Sequence, residues 1–291
     1  MTGTVLILGA GGHIGRHSAA AFDRAGWEVR RYDRKIGDMV AAAQDVDVII
    51  NGLNPPGYRN WATAIPAITQ QVIDAARSSG ASVIVPGNVY NFANRDGVFD
   101  ENTPHEASTR KGQIRIAMER EYQAVAGQGV QTIILRAGSF IDPDGDQDVM
   151  GLIHMRGIKN HKLTQIGGVD TRHAYCYLPD WAQAAVALAE KRQELRDFED
   201  IPFPGHDFTV NELKASLEKS TGRKYSIDNF PWAIMWLLSP VWTLAREMLE
   251  MRGSWETSHR LCGKKFRRLL PAFQASALDE VMRCSLPAPM R

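Results

Sequence analysis

Thr4-Val5-Leu6-Ile7-Leu8-Gly9-Ala10-Gly11-Gly12-His13-Ile14-Gly15 is the stretch that decides the fold. Thr4–Leu8 is a continuous apolar run, as expected of a strand buried on both faces of a parallel sheet. Glycines 9, 12 and 15 follow at once, spaced G-x-x-G-x-x-G, and His13 to Ala25 reads as a helix. The chain there must turn sharply, bring its backbone close to a pyrophosphate and pack the helix on the strand. The helix N-terminus then offers N–H groups and a positive dipole end to phosphate. Gly9, Gly11, Gly12, His13, Ile14 and Gly15 are the expected contacts. The bland alternative is a glycine-rich turn that binds nothing.

Asp33 supports the first reading. It ends a second strand, Glu28–Tyr32, 18 residues after Gly15, close to the expected spacing of about 20. A carboxylate there accepts hydrogen bonds from a ribose 2′-OH and repels a 2′-phosphate. The expected cofactor is therefore NAD. NADP stays open, because Arg31, Arg34 and Lys35 flank the acid.

Strand and helix signals then alternate. Val46–Ile50, Ser82–Val85 and Val130–Leu135 read as strands. Tyr58 to Ser79, Ser108 to Ala126 and Pro179 to Lys191 read as helices. This pattern predicts an α/β fold, a doubly wound parallel sheet of the dinucleotide-binding kind. Residues 1–200 are assigned to that domain and 201–291 to a smaller, mainly helical substrate-binding lobe, with no sharp linker between.

The 291 residues carry 34 Lys+Arg against 33 Asp+Glu, so broad electrostatic capture of nucleic acid is not expected. Three widely spaced cysteines fit neither a disulfide framework nor a zinc spacing, and a reducing, cytoplasmic compartment is the simplest reading. The N-terminus shows no secretion-signal pattern, and no apolar run reaches the ~20 residues that span a bilayer.

The ordered stretches GAGGHIG (9–15), VDVIINGLN (46–54), VIVPGNVYNF (83–92), ENTP (101–104), ILRAGSF (134–140) and YLPDWAQA (177–184) resemble the short-chain dehydrogenase superfamily, specifically its extended and atypical branches, the NAD-dependent epimerase/dehydratases. The resemblance covers roughly residues 3 to 220. It implies a cofactor across the strand ends, touching Asn51, Gly52 and Leu53 and the segment Pro86, Gly87 and Asn88. The Ser or Thr usual before Val-Tyr is absent here. Aligned on Gly112 and Glu119, Lys111 takes the place of the family's Tyr and Arg115 that of its Lys. Isoflavone-reductase-like enzymes are similar at this point, with a Lys proposed as the acid–base group. NmrA-like redox sensors share the fold and bind a dinucleotide without turnover.

Lys111, Arg115 and Glu119 lie on one helical face, at i, i+4 and i+8. Lys111 is the expected proton carrier. The competing reading is a solvated stripe with Arg115 paired to Glu119. Gly112 suggests that something must approach closely beside Lys111, a substrate or cofactor being one such reason. Tyr90 is the second candidate acid. Asn88 and Arg136 are candidate substrate contacts, with turn chemistry and a helix C-terminus as their plain alternatives.

The alternating acids Asp142, Asp144, Asp146 and Asp148 suggest a calcium loop only weakly, since Gln147 stands where its glycine belongs. No metal site is expected. Trp232, Met235, Trp236 and Trp242 form helical faces read as lobe core, a substrate-pocket wall or a homodimer contact, with interfacial membrane binding a minor option. Two functions remain open at this level. One is an NAD(P)-dependent oxidoreductase or epimerase-like enzyme acting on a small organic substrate. The other is a non-catalytic NAD(P)-binding sensor or regulatory protein.

Overall fold

The structure, a computed structural model, describes residues 3–286 apart from 36, 59 and 146. Asp146 of the alternating acids thus lies outside the described residues. Six strands form one parallel sheet: β1 (Thr4–Leu8), β2 (Glu28–Arg31), β3 (Val48–Asn51), β4 (Ser82–Gly87), β5 (Thr132–Arg136) and β6 (Phe198–Pro202). Their spatial order is β2-β1-β3-β4-β5-β6, with Leu8 opposite Asn51 and Gly87 opposite Arg136. The order reverses between β1 and β3, so the crevice at their carboxyl ends is where such sheets bind ligands.

The strand side chains alternate between two apolar layers. Val5, Ile7, Val48, Ile50, Ile84 and Ile133 face helices α1 (His13–Arg24) and α4 (Leu178–Glu190). Leu6, Leu8, Ile49, Val83, Val85 and Ile134 face α2 (Trp61–Ser79) and α3 (Arg110–Ala124). Both faces are covered, which is why these strands read as unbroken apolar runs.

Strand β6 carries no such run. Its sequence is Phe-Glu-Asp-Ile-Pro, and it closes the sheet edge by pairing with β5. Glu199 is ion-paired to Lys265 and Asp200 to Arg136. An edge strand tolerates charge and proline, so the pattern gave no strand signal there.

The second lobe does not begin cleanly at residue 201. Ser139–Ile141 and His173–Tyr177 form one small sheet with His206–Phe208. Lys162–Gln165 pairs with Ser226–Asn229, and Gly97–Phe99 with His259–Leu261. Helices α5 (Val210–Thr221), α6 (Trp232–Leu238) and α7 (Thr243–Glu250) follow. Helix α8 (Lys264–Leu269) then returns to the main sheet, where Phe266 joins the α1–α4 layer. The lobe is thus interleaved with the sheet domain. No helix among the described residues is long and apolar enough to cross a membrane.

Candidate functional site

The ends of β1 and β3 are welded together by three glycines. Gly9 adopts φ +74°, a left-handed conformation that favours glycine. A Cβ on Gly15 would sit 2.2 Å from the Gly9 carbonyl oxygen, and one on Gly52 would sit 2.8 Å from that of Leu8. The Gly52 N–H donates to that same Leu8 oxygen at 3.0 Å. Leu53 and Ile14 pack on this weld, and the Asn51 side chain accepts from the Leu53 N–H at 3.2 Å. Gly11 and Gly12, by contrast, are exposed, and a Cβ on Gly11 would meet nothing within 4 Å. No side chain caps α1, whose N-cap is Gly12. The result is an open, small-residue cradle in front of a helix N-terminus, which fits a dinucleotide pyrophosphate.

Arg115 holds the far wall of that crevice. Its guanidinium donates to Asn54 Oδ1 at 3.1 Å and lies 4.8 Å over the Trp61 ring. The Trp61 indole in turn donates to the Pro55 carbonyl at 3.1 Å. The residue aligned with the family's lysine therefore meets the loop that the resemblance assigns to the cofactor. Asp33, Arg34 and Lys35 are all exposed beyond β2, and Asp33 Oδ1 accepts from the Lys35 N–H at 2.9 Å. Acid and bases thus both face solvent there.

Lys111 is 2% exposed. Its ammonium is ion-paired with Glu247 and with Glu250, at 2.6 Å to the latter, both carried by α7. Its backbone N–H donates to Glu250 Oε1 at 3.0 Å. Thr109 caps the same helix by accepting from Gly112 at 3.1 Å. The charged stripe is therefore not solvated, and Arg115 does not pair with Glu119. The need for Gly112 also has another cause than a ligand. A Cβ there would lie 2.1 Å from the Tyr90 carbonyl oxygen. The α3 N-terminus is docked on the loop after β4, with Gly112 against the Tyr90 backbone. Asn88 makes the turn that begins this loop, its Oδ1 accepting from the Tyr90 N–H at 3.0 Å. Gly87 lies tight against Ile134 and Arg136, next to Pro86 at the end of β4.

Arg136 corrects the expectation of a substrate anion contact. It is fully buried and makes five hydrogen bonds, to Asp200 (two), Glu119 (two) and the Asn88 carbonyl. Five is the donor capacity of a guanidinium, so none remains for a substrate. Burial works against its charge, but Glu119 and Asp200 outweigh burial and push its pKa up further. Arg136 ties α3, β6 and the β4 loop together beneath the crevice.

A second cluster had no clear sequence signal. The Asp142 carboxylate is wholly buried and contacts His13, Arg16 and, at 2.9 Å, His17 of α1. Burial favours its neutral form, but hydrogen bonds from Arg16, His13 and His17 prevail and hold the carboxyl below its usual range. His13 thus has a carboxylate partner at the mouth of the glycine cradle. Trp232, expected as a pocket wall, anchors α6 instead. Its indole donates to the Ile166 carbonyl at 2.8 Å, and its ring meets Phe230 and Arg252. Glu247 and Glu250 were also missed, because they lie where no family motif could be matched.

Comparison with curated protein sequences finds no match. Among solved structures, the chain is similar to MoeE5 in complex with UDP-glucose and NAD, at 16% identity and TM-score 0.75, with 97% of each chain covered. It is also similar to UDP-glucuronic acid 4-epimerase from Bacillus cereus, in complex with UDP-glucuronic acid and NAD, at 14% identity, TM-score 0.74 and 97% of each chain. A GalE-like L-threonine dehydrogenase from Cupriavidus necator, in its apo form, matches at 17% identity and TM-score 0.71, again over 97% of each chain. These likenesses establish the fold. The model of the NAD dependent epimerase/dehydratase family matches residues 5–201. With its glycine cradle at the reversal point of a six-stranded parallel sheet, the chain belongs to the NAD dependent epimerase/dehydratase family.

Proposed function

We propose that the protein is an NAD-dependent oxidoreductase or epimerase-like enzyme acting on a small organic substrate. The observation that carries this reading is the cradle of Gly9, Gly15 and Gly52, closed on itself behind and solvent-exposed at Gly11 and Gly12 in front. Gly11, Gly12 and the α1 N-terminus would receive the pyrophosphate, and Asp33 the adenosine ribose. Arg34 beside Asp33 keeps NADP as the second choice. Bound NAD supplies hydride transfer. Arg115 holds the Asn51–Asn54 loop in place against that cofactor. Lys111, at the α3 N-terminus, is the proton carrier, with Glu247 and Glu250 as the acceptors that orient its ammonium, and Tyr90 of the adjoining loop is the second candidate acid. Structural relatives are seen in complex with UDP-glucose and UDP-glucuronic acid, and a small polar metabolite of that general kind fits the class. The balanced charge makes nucleic acid an unsuitable partner, and a cytoplasmic setting agrees with three free thiols.

One observation favours the second reading, an NAD-binding sensor without turnover: Lys111 is pinned by two carboxylates of the C-terminal lobe. Calorimetric titration of cofactor-free protein with NADH and NADPH tests the binding step. Binding of neither ends both readings. Lys111→Ala then separates them. The enzyme loses turnover and keeps NADH affinity, whereas a sensor has no turnover to lose and changes only in what its lobe reports.

A further inference from the structure

His13 opens α1, directly after Gly12. The Arg16 N–H makes the first helical hydrogen bond, to the Gly12 carbonyl at 3.0 Å, so the N–H groups of His13, Ile14 and Gly15 are left for solvent or a ligand. Side chains of a helix lean toward its N-terminus, and the His13 imidazole therefore leans over that same end. One edge of the ring is occupied. Its Nδ1 contacts Asp142, whose carboxylate is wholly buried. A Cβ on Gly145 would lie 3.4 Å from His13 Cε1, so the 142–145 loop covers this edge. The other edge is open. The side chain is 38% exposed, and its Nε2 has no hydrogen-bond partner among the described residues.

The charges around the ring fix which nitrogen carries a proton. Asp142 is held ionised by Arg16 and by His17, the latter at 2.9 Å, and its Oδ1 also takes the Asp144 N–H at 3.0 Å. Asp144 reaches His17 at 3.7 Å. Asp148 braces the loop by accepting the N–H groups of Asp142 and Gly151. Arg16 is thus the permanent cation here, set among three carboxyl groups, and α1 has no acid in its first turn. A neutral imidazole that donates Nδ1–H to a carboxylate shows a lone pair at Nε2. A phosphate oxygen needs a donor at that position. An anion arriving at Nε2 therefore favours the imidazolium, which donates from both nitrogens.

We propose that His13 takes up a proton when a dinucleotide binds and, as an imidazolium, bridges the Asp142 carboxylate and a pyrophosphate oxygen. The proposal rests on the reading of the glycine cradle as a dinucleotide site. The proton comes from the buffer and adds to Nε2, and no other bond changes. Calorimetric titration of the full chain with NADH at pH 7.5, in HEPES and in Tris, measures it, because the two buffers differ in ionisation heat. The wild-type binding heat is expected to differ between the buffers in the direction of proton uptake, by up to one proton per NADH. His13→Gln keeps a donor for Asp142 but cannot titrate. It should bind NADH about 10-fold more weakly, through loss of a charged hydrogen bond, and give the same heat in both buffers. His17→Gln, on the same carboxylate, should keep the wild-type uptake. Wild-type binding with equal heats in both buffers overturns this proposal and leaves the cofactor reading standing. Uptake that persists in His13→Gln overturns it as well, and its loss in His17→Gln would assign the proton to His17 instead. Absence of NADH binding in both buffers ends the cofactor reading and this proposal together.

Discussion

Glu250 grips Lys111 at both ends of the residue. One carboxylate oxygen accepts the backbone N–H at 3.0 Å and the other the ammonium at 2.6 Å. A single acid thus caps the first turn of α3 and neutralises the side chain projecting from it, and that acid comes from the far end of the chain. The contact joins Lys111 to helix α7.

Removing that grip should loosen the lobe. Glu250→Ala leaves Glu247 on the ammonium but strips the helix end of its acceptor and half of the ion pair. A loss of about 2 kcal/mol is expected, the scale of charged hydrogen bonds to a buried partner. It should appear as a melting temperature lower by about 5 °C. Glu250→Gln, which keeps acceptor geometry without the charge, should recover part of the loss. A melting temperature unchanged in Glu250→Ala would show that the pair contributes nothing to stability.

The glycine cradle makes opposite predictions for two of its members. Gly15→Ala places a methyl 2.2 Å from a backbone oxygen, with nothing flexible to yield, so the variant should be severely destabilised or insoluble. Gly11→Ala meets open space and needs no left-handed backbone, so its stability should stay within about 0.5 kcal/mol. If the pyrophosphate lies against that surface, NADH affinity nevertheless falls ~10-fold or more through loss of close backbone approach. Calorimetry on Gly11→Ala reads this directly. Wild-type affinity there would move the phosphates away from Gly11.

Arg136 should behave as structure. Arg136→Met removes five hydrogen bonds and leaves Glu119 and Asp200, 3% and 12% exposed, facing each other without a cation. Breaking a buried pair in this way costs about 3–5 kcal/mol. Urea denaturation should show that loss, or the variant should fail to accumulate in soluble form. A stable Arg136→Met that had lost only substrate affinity would restore the role that its burial argues against.

The sheet domain was legible because unbroken apolar runs and glycine spacing are local signals. Each strand of the core needs neighbours on both faces, and the sequence states that need within five residues. Strand β6 escaped because an edge strand can carry Glu199, Asp200 and Pro202. The cradle was legible too, since close backbone approach permits only glycine at 9, 15 and 52. What surrounds Lys111 was not. Glu250 lies 139 residues away, and no local pattern encodes which distant acid a lysine will meet. Gly112 was read as room for a ligand because sequence shows that space is needed, not what fills it. Asp142 was read with its acidic neighbours, whereas its actual partners are three basic residues of α1.

Acid should destabilise the protein well above the carboxylate range, and His173 is the clearest cause. Burial, followed by the fields of His259 and His154, pushes its pKa down to about 3. In the unfolded chain a histidine titrates near ~6.5. Above that pH both states are neutral and the residue makes no pH-dependent difference. Between about 6.5 and 3 the unfolded state takes a proton that the folded state refuses, so stability falls as pH falls, by up to ~1.4 kcal/mol per unit for one such group. His154, His206 and His259 are shifted down by burial too and act in the same direction. The depressed Asp142 carboxyl works in a lower window, its contribution present above about pH 4 and lost below it. Urea midpoints measured at pH 7.5 and 5.5 should therefore differ in the wild type. His173→Phe, which keeps a ring between Trp255 and His259, should reduce that difference by about 1 kcal/mol. An equal difference in wild type and variant would mean that His173 is already protonated in the folded protein, or that it opens to solvent before unfolding.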